Sequence, residues 1–267
     1  MTIAFLDHHL DNWHAKVFLG LLRERGHDVV AYESDPKEGD WCADHNVTRV
    51  GSPDEALEIA DAVMVLAPDN IDAHLDLTFA VLAAGKPVWV DKQLAPTLDH
   101  SLRIVRMAEY HGTPLTCASS LSHAAELEEA LEAINGRVEE GVFSGYGEWH
   151  RYGVHTIAMA LRAIPSRVET IDCRFTPHVK QVELGFEDGR CAFLTVVAGK
   201  NSSAAFPWRF ALRSGEEYVH GTVTRFDEFY ERECEAILRA FETRETMRHD
   251  EMLDTVRILE NVAAVSS

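Results

Sequence analysis

The chain is 267 residues long and 46% hydrophobic, which is ample for a core and suits one large domain or two small ones. Its 25 basic and 44 acidic residues give a formal net charge of −19, which argues against nucleic acid, where binding rests on neutralising phosphates, and against anionic membranes. No apolar run approaches the roughly 20 residues that span a bilayer, and the five scattered cysteines form no C-x-x-C pair, so reduced thiols are expected rather than disulfides or zinc.

The chain starts directly with an apolar strand, Ile3 to Leu6, and has no basic, signal-like leader, so a cytoplasmic protein is expected. Further strands are predicted at Asp28 to Tyr32, Ala62 to Leu66, Val88 to Asp91 and Leu115 to Ala118. Helical periodicity fills the gaps at about Asn12 to Arg25, Asp54 to Ile59, Ile71 to Ala84 and Leu98 to His111. Gly26, Gly85 and Gly112 each fall just past a periodic segment, as C-terminal caps do. Regular strand–helix alternation predicts an α/β domain with a parallel, doubly wound sheet.

After a helix from His123 to Ile134 the pattern changes to period-2 strands. These are Arg137 to Phe143, Ser166 to Phe175, Gln181 to Phe186, Arg190 to Val197, Arg209 to Arg213 and Glu217 to Thr222. Glu187-Asp188-Gly189 marks a hairpin, a helix is inserted over Trp149 to Ala163, and the tail from Phe226 to Ala264 is helical. A smaller α+β domain with a mostly antiparallel sheet is expected, with the division at 1–120 and 121–267.

The segment from Ala62 to Ala95 carries the first chemistry. An apolar strand stops at Ala67-Pro68-Asp69-Asn70, a helix closes on Gly85, and a second strand delivers Asp91 and Lys92 at its carboxyl end. Open parallel sheets bind ligands just beyond their strand ends, where a lysine can donate a proton or orient an oxygen; a solvated strand-end lysine has the same spacing. The pattern D-x-V-x-V-x-x-P-x-N, then His74, then A-G-K-P-V-x-V-D-K-x-L-A resembles the glucose–fructose oxidoreductase / inositol dehydrogenase (Gfo/Idh/MocA) family. That resemblance implies a Rossmann domain followed by an α+β domain, an NAD-dependent oxidoreductase, and a homo-oligomer, dimer or tetramer. It assigns a catalytic role to Lys92 and puts Ala67, Pro68, Asn70, His74 and Asp91 beside the cofactor. Where the family has Glu-Lys-Pro, this chain has Asp91-Lys92-Gln93.

A dinucleotide-binding turn between the first strand and helix reads G-x-G-x-x-G, because glycine lets the backbone approach the pyrophosphate. Here the aligned positions are Leu6, His8 and Asp11. Three alternatives follow. The turn is wider and NAD still binds, with Asp7, His8 and Asn12 beside it and the helix N-terminus serving the phosphates. Or the cofactor is lost, and a lyase, isomerase or binding protein reuses the cleft. Or Asp7, His8, His9 and His14 hold a metal; adjacent histidines in a turn usually point apart, so no metal is expected. Glu33, ending the second strand, favours NAD, since a carboxylate there accepts the ribose hydroxyls and repels a 2′-phosphate.

The stretch Gly145-Tyr146-Gly147-Glu148-Trp149-His150-Arg151-Tyr152-Gly153-Val154-His155 resembles the family's G-G-G-x-x-x-D-x-G-x-H signature, with Arg151 at the aspartate position. By that resemblance His155 is an acid/base partner of Lys92, and a ring titrating near neutral pH suits the task. Arg151 in place of the aspartate points to an anionic or carbonyl-rich ligand. His150 and Tyr152, with Ser119, Ser120 and His123 after the last strand of the first domain, are expected to face the substrate. The substrate is expected to be a small sugar-like or anionic molecule with a secondary alcohol or ketone.

Overall fold

The structure, a computed structural model, describes residues 1–36, 39–134 and 136–266. Its first sheet uses six strands: β1 (Thr2–Asp7), β2 (Asp28–Glu33), β3 (Thr48–Arg49), β4 (Ala62–Val65), β5 (Val88–Asp91) and β6 (Leu115–Ala118). All neighbours pair in parallel, in the order β3-β2-β1-β4-β5-β6. Strand order reverses between β1 and β4, which opens a crevice at their carboxyl ends. Both faces are covered by helices α1 (Trp13–Glu24), α2 (Trp41–Asp44), α3 (Pro53–Ile59), α4 (His74–Ala84) and α5 (Leu98–His111). The central strands are therefore unbroken apolar runs: Ile3 to Leu6, Ala62 to Leu66 and Val88 to Val90 are buried throughout.

The helix ends follow local chemistry. Asn12, Ser52 and Thr97 each accept a backbone N–H of their own helix's first turn, and Gly85 and Gly112 close α4 and α5 at φ +66 and +62. Of Asp11 and Asn12, it is Asn12 that caps α1; Asp11 pairs with Lys16 at 2.7 Å.

The second sheet runs β12-β11-β7-β10-β9-β8. Its strands are β7 (Glu140–Tyr146), β8 (Val168–Phe175), β9 (Val179–Phe186), β10 (Cys191–Val197), β11 (Arg209–Ser214) and β12 (Glu217–Thr222). Only β7 and β10 pair in parallel. Helix α6 (Ala125–Ala133) precedes the sheet, and α7 (Trp149–Ala163) packs on β7 and β10 over a core that includes Phe143, Ile157 and Leu194. A short α8 (Ser202–Ala205) and the long α9 (Phe226–Thr243) and α10 (His249–Ser266) complete the chain.

The chain forms two compact units, Met1–Ala118 with Glu233–His249, and Ser119–Arg232 with the chain from Asp250 on. The tail thus contributes to both. One predicted strand needs correction: Arg137 to Phe143 is displaced, and the observed β7 runs from Glu140 to Tyr146. Gly145 carries no hydrophobic signal, yet its backbone pairs with Val196, so periodicity ends the strand too early. The segments α2, β3 and α8 are too short to show a period, so the sequence does not predict them.

Candidate active site

At the reversal point in the first unit lies a cleft of about 280 Å³ lined by Asp7, His8, His9, Asp11, Asn12 and Ala67 to Asn70. Asp7, at the end of β1, is 1% exposed. Its carboxylate accepts His9 N–H at 3.1 Å and the Asn12 amide at 2.8 Å. Burial nevertheless dominates these bonds and the repulsion from Asp91 adds to it, so the carboxyl is pushed up to about 7. Glu33 reaches across from β2: one oxygen accepts Leu10 N–H at 2.8 Å, the other Arg49 at 2.7 Å.

These bonds decide how the turn treats a dinucleotide. Pyrophosphate needs turn amides that face it. Here the amides of His9 and Leu10 already donate to Asp7 and Glu33, and Asn12 Oδ1 holds Ala15 N–H at the start of α1. No glycine lies between Leu6 and Asn12. In this conformation the turn does not fit a pyrophosphate, and Asp7 and Asp11 would repel one.

The other strand ends are held by buried groups. Asp91 is 1% exposed with His14 Nδ1 at 2.8 Å; burial acts to raise its pKa, but His14, Lys92 and His74 together outweigh that and the net shift is downward. His74 is fully buried, with Nδ1 3.0 Å from the Gln93 carbonyl and Nε2 3.0 and 3.3 Å from those of Leu66 and Ala67. Burial lowers its pKa against the pull of Asp91 and these carbonyls. The ring spans the turns after β4 and β5, and each turn contains a non-glycine residue at positive φ: Ala67 at +41° and Lys92 at +62°. Neither His74 nor Asp91 offers exposed surface to a ligand; they brace the backbone that does. Lys92 is half-buried, and its ammonium donates at 3.1 Å to the carbonyl of Pro68, a residue that lines the cleft. Asn70 lines the same cleft and makes no side-chain bond to the turn it precedes. Among the described residues no peptide bond is cis, so Gln93 follows Lys92 through a trans bond.

In the second unit Ser119 precedes a single 3-10 turn, Ser120–His123, and its Oγ lies 2.7 Å from His155 Nδ1. Ser120 is buried within that turn and His123 half-buried at its end. Around His155 stand Trp208 and Tyr152, with ring centroids at 5.5 and 5.8 Å, and the Tyr146 ring lies 4.6 Å from Trp208, tilted by 33°. Arg151 and His150 are exposed on the first turn of α7. His150 lines a separate cleft of about 190 Å³ with His178 and Lys180. The glycines of this segment serve packing: a Cβ on Gly145 would come within 2.3 Å of Thr156 Oγ1 and 2.8 Å of Trp208, and one on Gly153 within 2.8 Å of Trp149.

Sequence reasoning missed Arg49, Tyr146 and Trp208. Arg49 sits in a two-residue strand with no period, and Trp208 enters from the bend just before β11; neither leaves a local signal. It also expected the turn histidines to diverge, whereas the rings of His8 and His9 lie 4.1 Å apart, with His8 held by Ser34 and Asp35. His14, weighed as their companion, turns instead to Asp91.

No protein-family model matches the chain, and no curated protein matches it in sequence. Solved structures match along nearly its whole length. A probable dehydrogenase from Thermotoga maritima is 12% identical, with 97% of this chain and 95% of that one aligned at a TM-score of 0.83. The UDP-N-acetylglucosamine 3-dehydrogenase GnnA from Acidithiobacillus ferrooxidans is 11% identical, over 99% and 97%, at 0.80. GenD2 from gentamicin A biosynthesis, in complex with NAD, is 16% identical, over 100% and 95%, at 0.76. The fold is thus that of these dehydrogenases: a Rossmann-like parallel sheet followed by a mixed, mostly antiparallel one.

Proposed function

We propose that the protein is an NAD-dependent oxidoreductase that interconverts a secondary alcohol and a ketone on a sugar-like or anionic small molecule. The observation that carries this is Lys92. A lysine held in the left-handed region, just past the carboxyl end of β5 and with its ammonium bonded to the carbonyl of Pro68, which lines the reversal-point cleft, is a strained residue where ligands bind. Its ammonium is suited to donate to, or hold, the substrate oxygen. His155, aligned by Ser119, is the second proton-handling group. Tyr152, Arg151, Ser120 and His123 are assigned to substrate; the first unit, Met1–Ala118 with Glu233–His249, is assigned to cofactor and the second unit to substrate.

Support comes from fold neighbours whose names specify dehydrogenation, one of them in complex with NAD. For NAD to bind, the first turn has to release the amides now held by Asp7 and Glu33. That requirement favours a second reading, a cofactor-free lyase, isomerase or binding protein on the same scaffold. A panel of sugars, cyclitols and sugar acids incubated with NAD⁺, with NADH formation followed by absorbance, tests the choice. Turnover of any member supports the oxidoreductase. No turnover across the panel, together with no calorimetric binding of NADH, assigns the protein to the second reading. The same proposal expects a cytoplasmic homo-oligomer, whose size light scattering reports; among the described residues no helix is long and apolar enough to cross a membrane.

A further inference from the structure

The turn that lacks glycine carries ligand atoms instead. His8 and His9, leaving β1, and Asp35, just past β2, each bring one potential metal ligand to a common point, all within 4.8 Å of one another. Three features make this more than a chance cluster on a loop. First, one ligand pair already stands near coordination spacing: His8 Nε2 and an Asp35 oxygen are 3.6 Å apart, and ligands about 2.0–2.2 Å from a tetrahedral ion stand roughly 3.4 Å from each other. Second, the other nitrogen of His8 lies 3.1 Å from Ser34 Oγ, the kind of outer partner that fixes the orientation and tautomer of a ligating imidazole. Third, His9 Nδ1 is buried with no hydrogen-bond partner among the described residues, although an imidazole nitrogen shielded from water normally has one.

The surroundings favour a cation. Asp7, Asp11 and Asp69 line the adjoining cleft, which His8 and His9 also line. Backbone bonds hold the cluster's geometry, since Ser34 N–H donates to the Asp7 carbonyl at 2.9 Å and Asp35 N–H to the His8 carbonyl at 3.1 Å. The strand ends that carry the three side chains are therefore clamped in register.

We propose that His8, His9 and Asp35 form a binding site for a divalent transition-metal ion of the zinc, cobalt or nickel class. Two imidazoles and one carboxylate match the ligand preference of those ions, and three protein ligands leave at least one position for water or an external oxygen. The proposal does not rest on the oxidoreductase reading: the site would exist in a cofactor-free protein as well.

Cobalt is a direct probe, because an imidazole–carboxylate site gives Co²⁺ a visible ligand-field spectrum. Untagged protein stripped of metal is titrated with Co²⁺ at neutral pH, and Zn²⁺ is then added as competitor. The expected result is one equivalent bound, displaced by Zn²⁺, with affinity reduced at least tenfold in each of His8→Ala, His9→Ala and Asp35→Asn. A His111→Ala variant, altering an exposed histidine on α5, should bind as the parent does. Far-UV circular dichroism establishes that each variant is folded. Absence of the spectrum in the parent protein overturns the proposal, as does affinity unchanged in the His8 and His9 variants.

Discussion

Ser119 Oγ stands 2.7 Å from His155 Nδ1, and this contact aligns the imidazole within a wall formed by Tyr152 and Trp208. A general acid or base is useful only when one nitrogen is fixed towards the reacting proton, and a partner on the other nitrogen fixes it. Ser119→Ala is therefore expected to lower turnover about tenfold and to move the pH at which activity rises, while Ser119→Thr restores both. A pH–rate profile of the three proteins checks this. An unchanged profile in Ser119→Ala would reduce the contact to packing.

Lys92 separates chemistry from stability. Its backbone sits at φ +62, which costs a non-glycine residue roughly 1–2 kcal/mol. Lys92→Ala keeps that strain and should lose turnover by about 10²-fold or more. Lys92→Gly relieves the strain, so its stability should match or exceed that of the alanine variant by up to about 1 kcal/mol, with activity equally lost. Urea denaturation and initial rates on both variants distinguish the two effects.

The buried carboxyl of Asp7 should be visible in stability against pH. Its folded pKa of about 7 lies above the ordinary aspartate value of 3.8, so between those pH values the folded state binds more protons than the unfolded one. Stability from this group is thus present at low pH and lost as pH rises towards 7, with a slope of at most about 1.4 kcal/mol per pH unit. Asp7→Asn removes the titration, and the difference between the two proteins' unfolding free energies should flatten above pH 7. Denaturant titrations at pH 4.5 to 8 measure it, and a constant difference over the whole range would contradict the raised pKa.

Gly145 is tested by volume. A methyl group there meets Thr156 Oγ1 and Trp208 at contact distances that force β7 and α7 apart. Gly145→Ala should cost about 1–3 kcal/mol of stability by overpacking. Since α7 carries His155, turnover should fall as well. A paired Thr156→Ala change opens space at the nearest clash and should recover part of the stability. Thermal denaturation of the single and double variants decides it.

Sequence pattern carried most of the architecture because the central strands are buried on both faces and the helix ends have strong caps. Runs such as Val63 to Leu66 and signals such as Gly85 are local. What stayed hidden is non-local. Glu33 looked like an open ribose acceptor, but its carboxylate is shared between Leu10 N–H and an arginine from a two-residue strand. His74 looked like a cofactor neighbour, but its ring is sealed between three carbonyls. The glycines around His155 looked like a binding signature, and they are needed for side-chain packing against Thr156, Trp208 and Trp149. In each case residue type and spacing suit a site, while what the residue does is set by partners on other turns and strands that its own spacing does not reveal.

The first turn remains the feature that separates the two functional classes. Its amides are held by Asp7 and Glu33, and Asp7, Asp11 and Asp69 put negative charge where a diphosphate would lie. If NADH binds, it displaces these bonds and gains as Asp7 takes up a proton, so affinity should rise as pH falls through about 7. NADH should also bind more tightly than NADPH, because Glu33, once released from Leu10 and Arg49, turns to the ribose hydroxyls and opposes a 2′-phosphate. Calorimetry with both nucleotides at pH 6 and 8, on the parent and on a His8→Gly, Asp11→Gly double variant, reads all of this at once. Sub-millimolar binding by the parent, tighter at pH 6 and tighter for NADH, supports the dehydrogenase. No binding by the parent with binding gained in the double variant would show that the turn blocks the nucleotide, and the protein would then belong with cofactor-free chemistry.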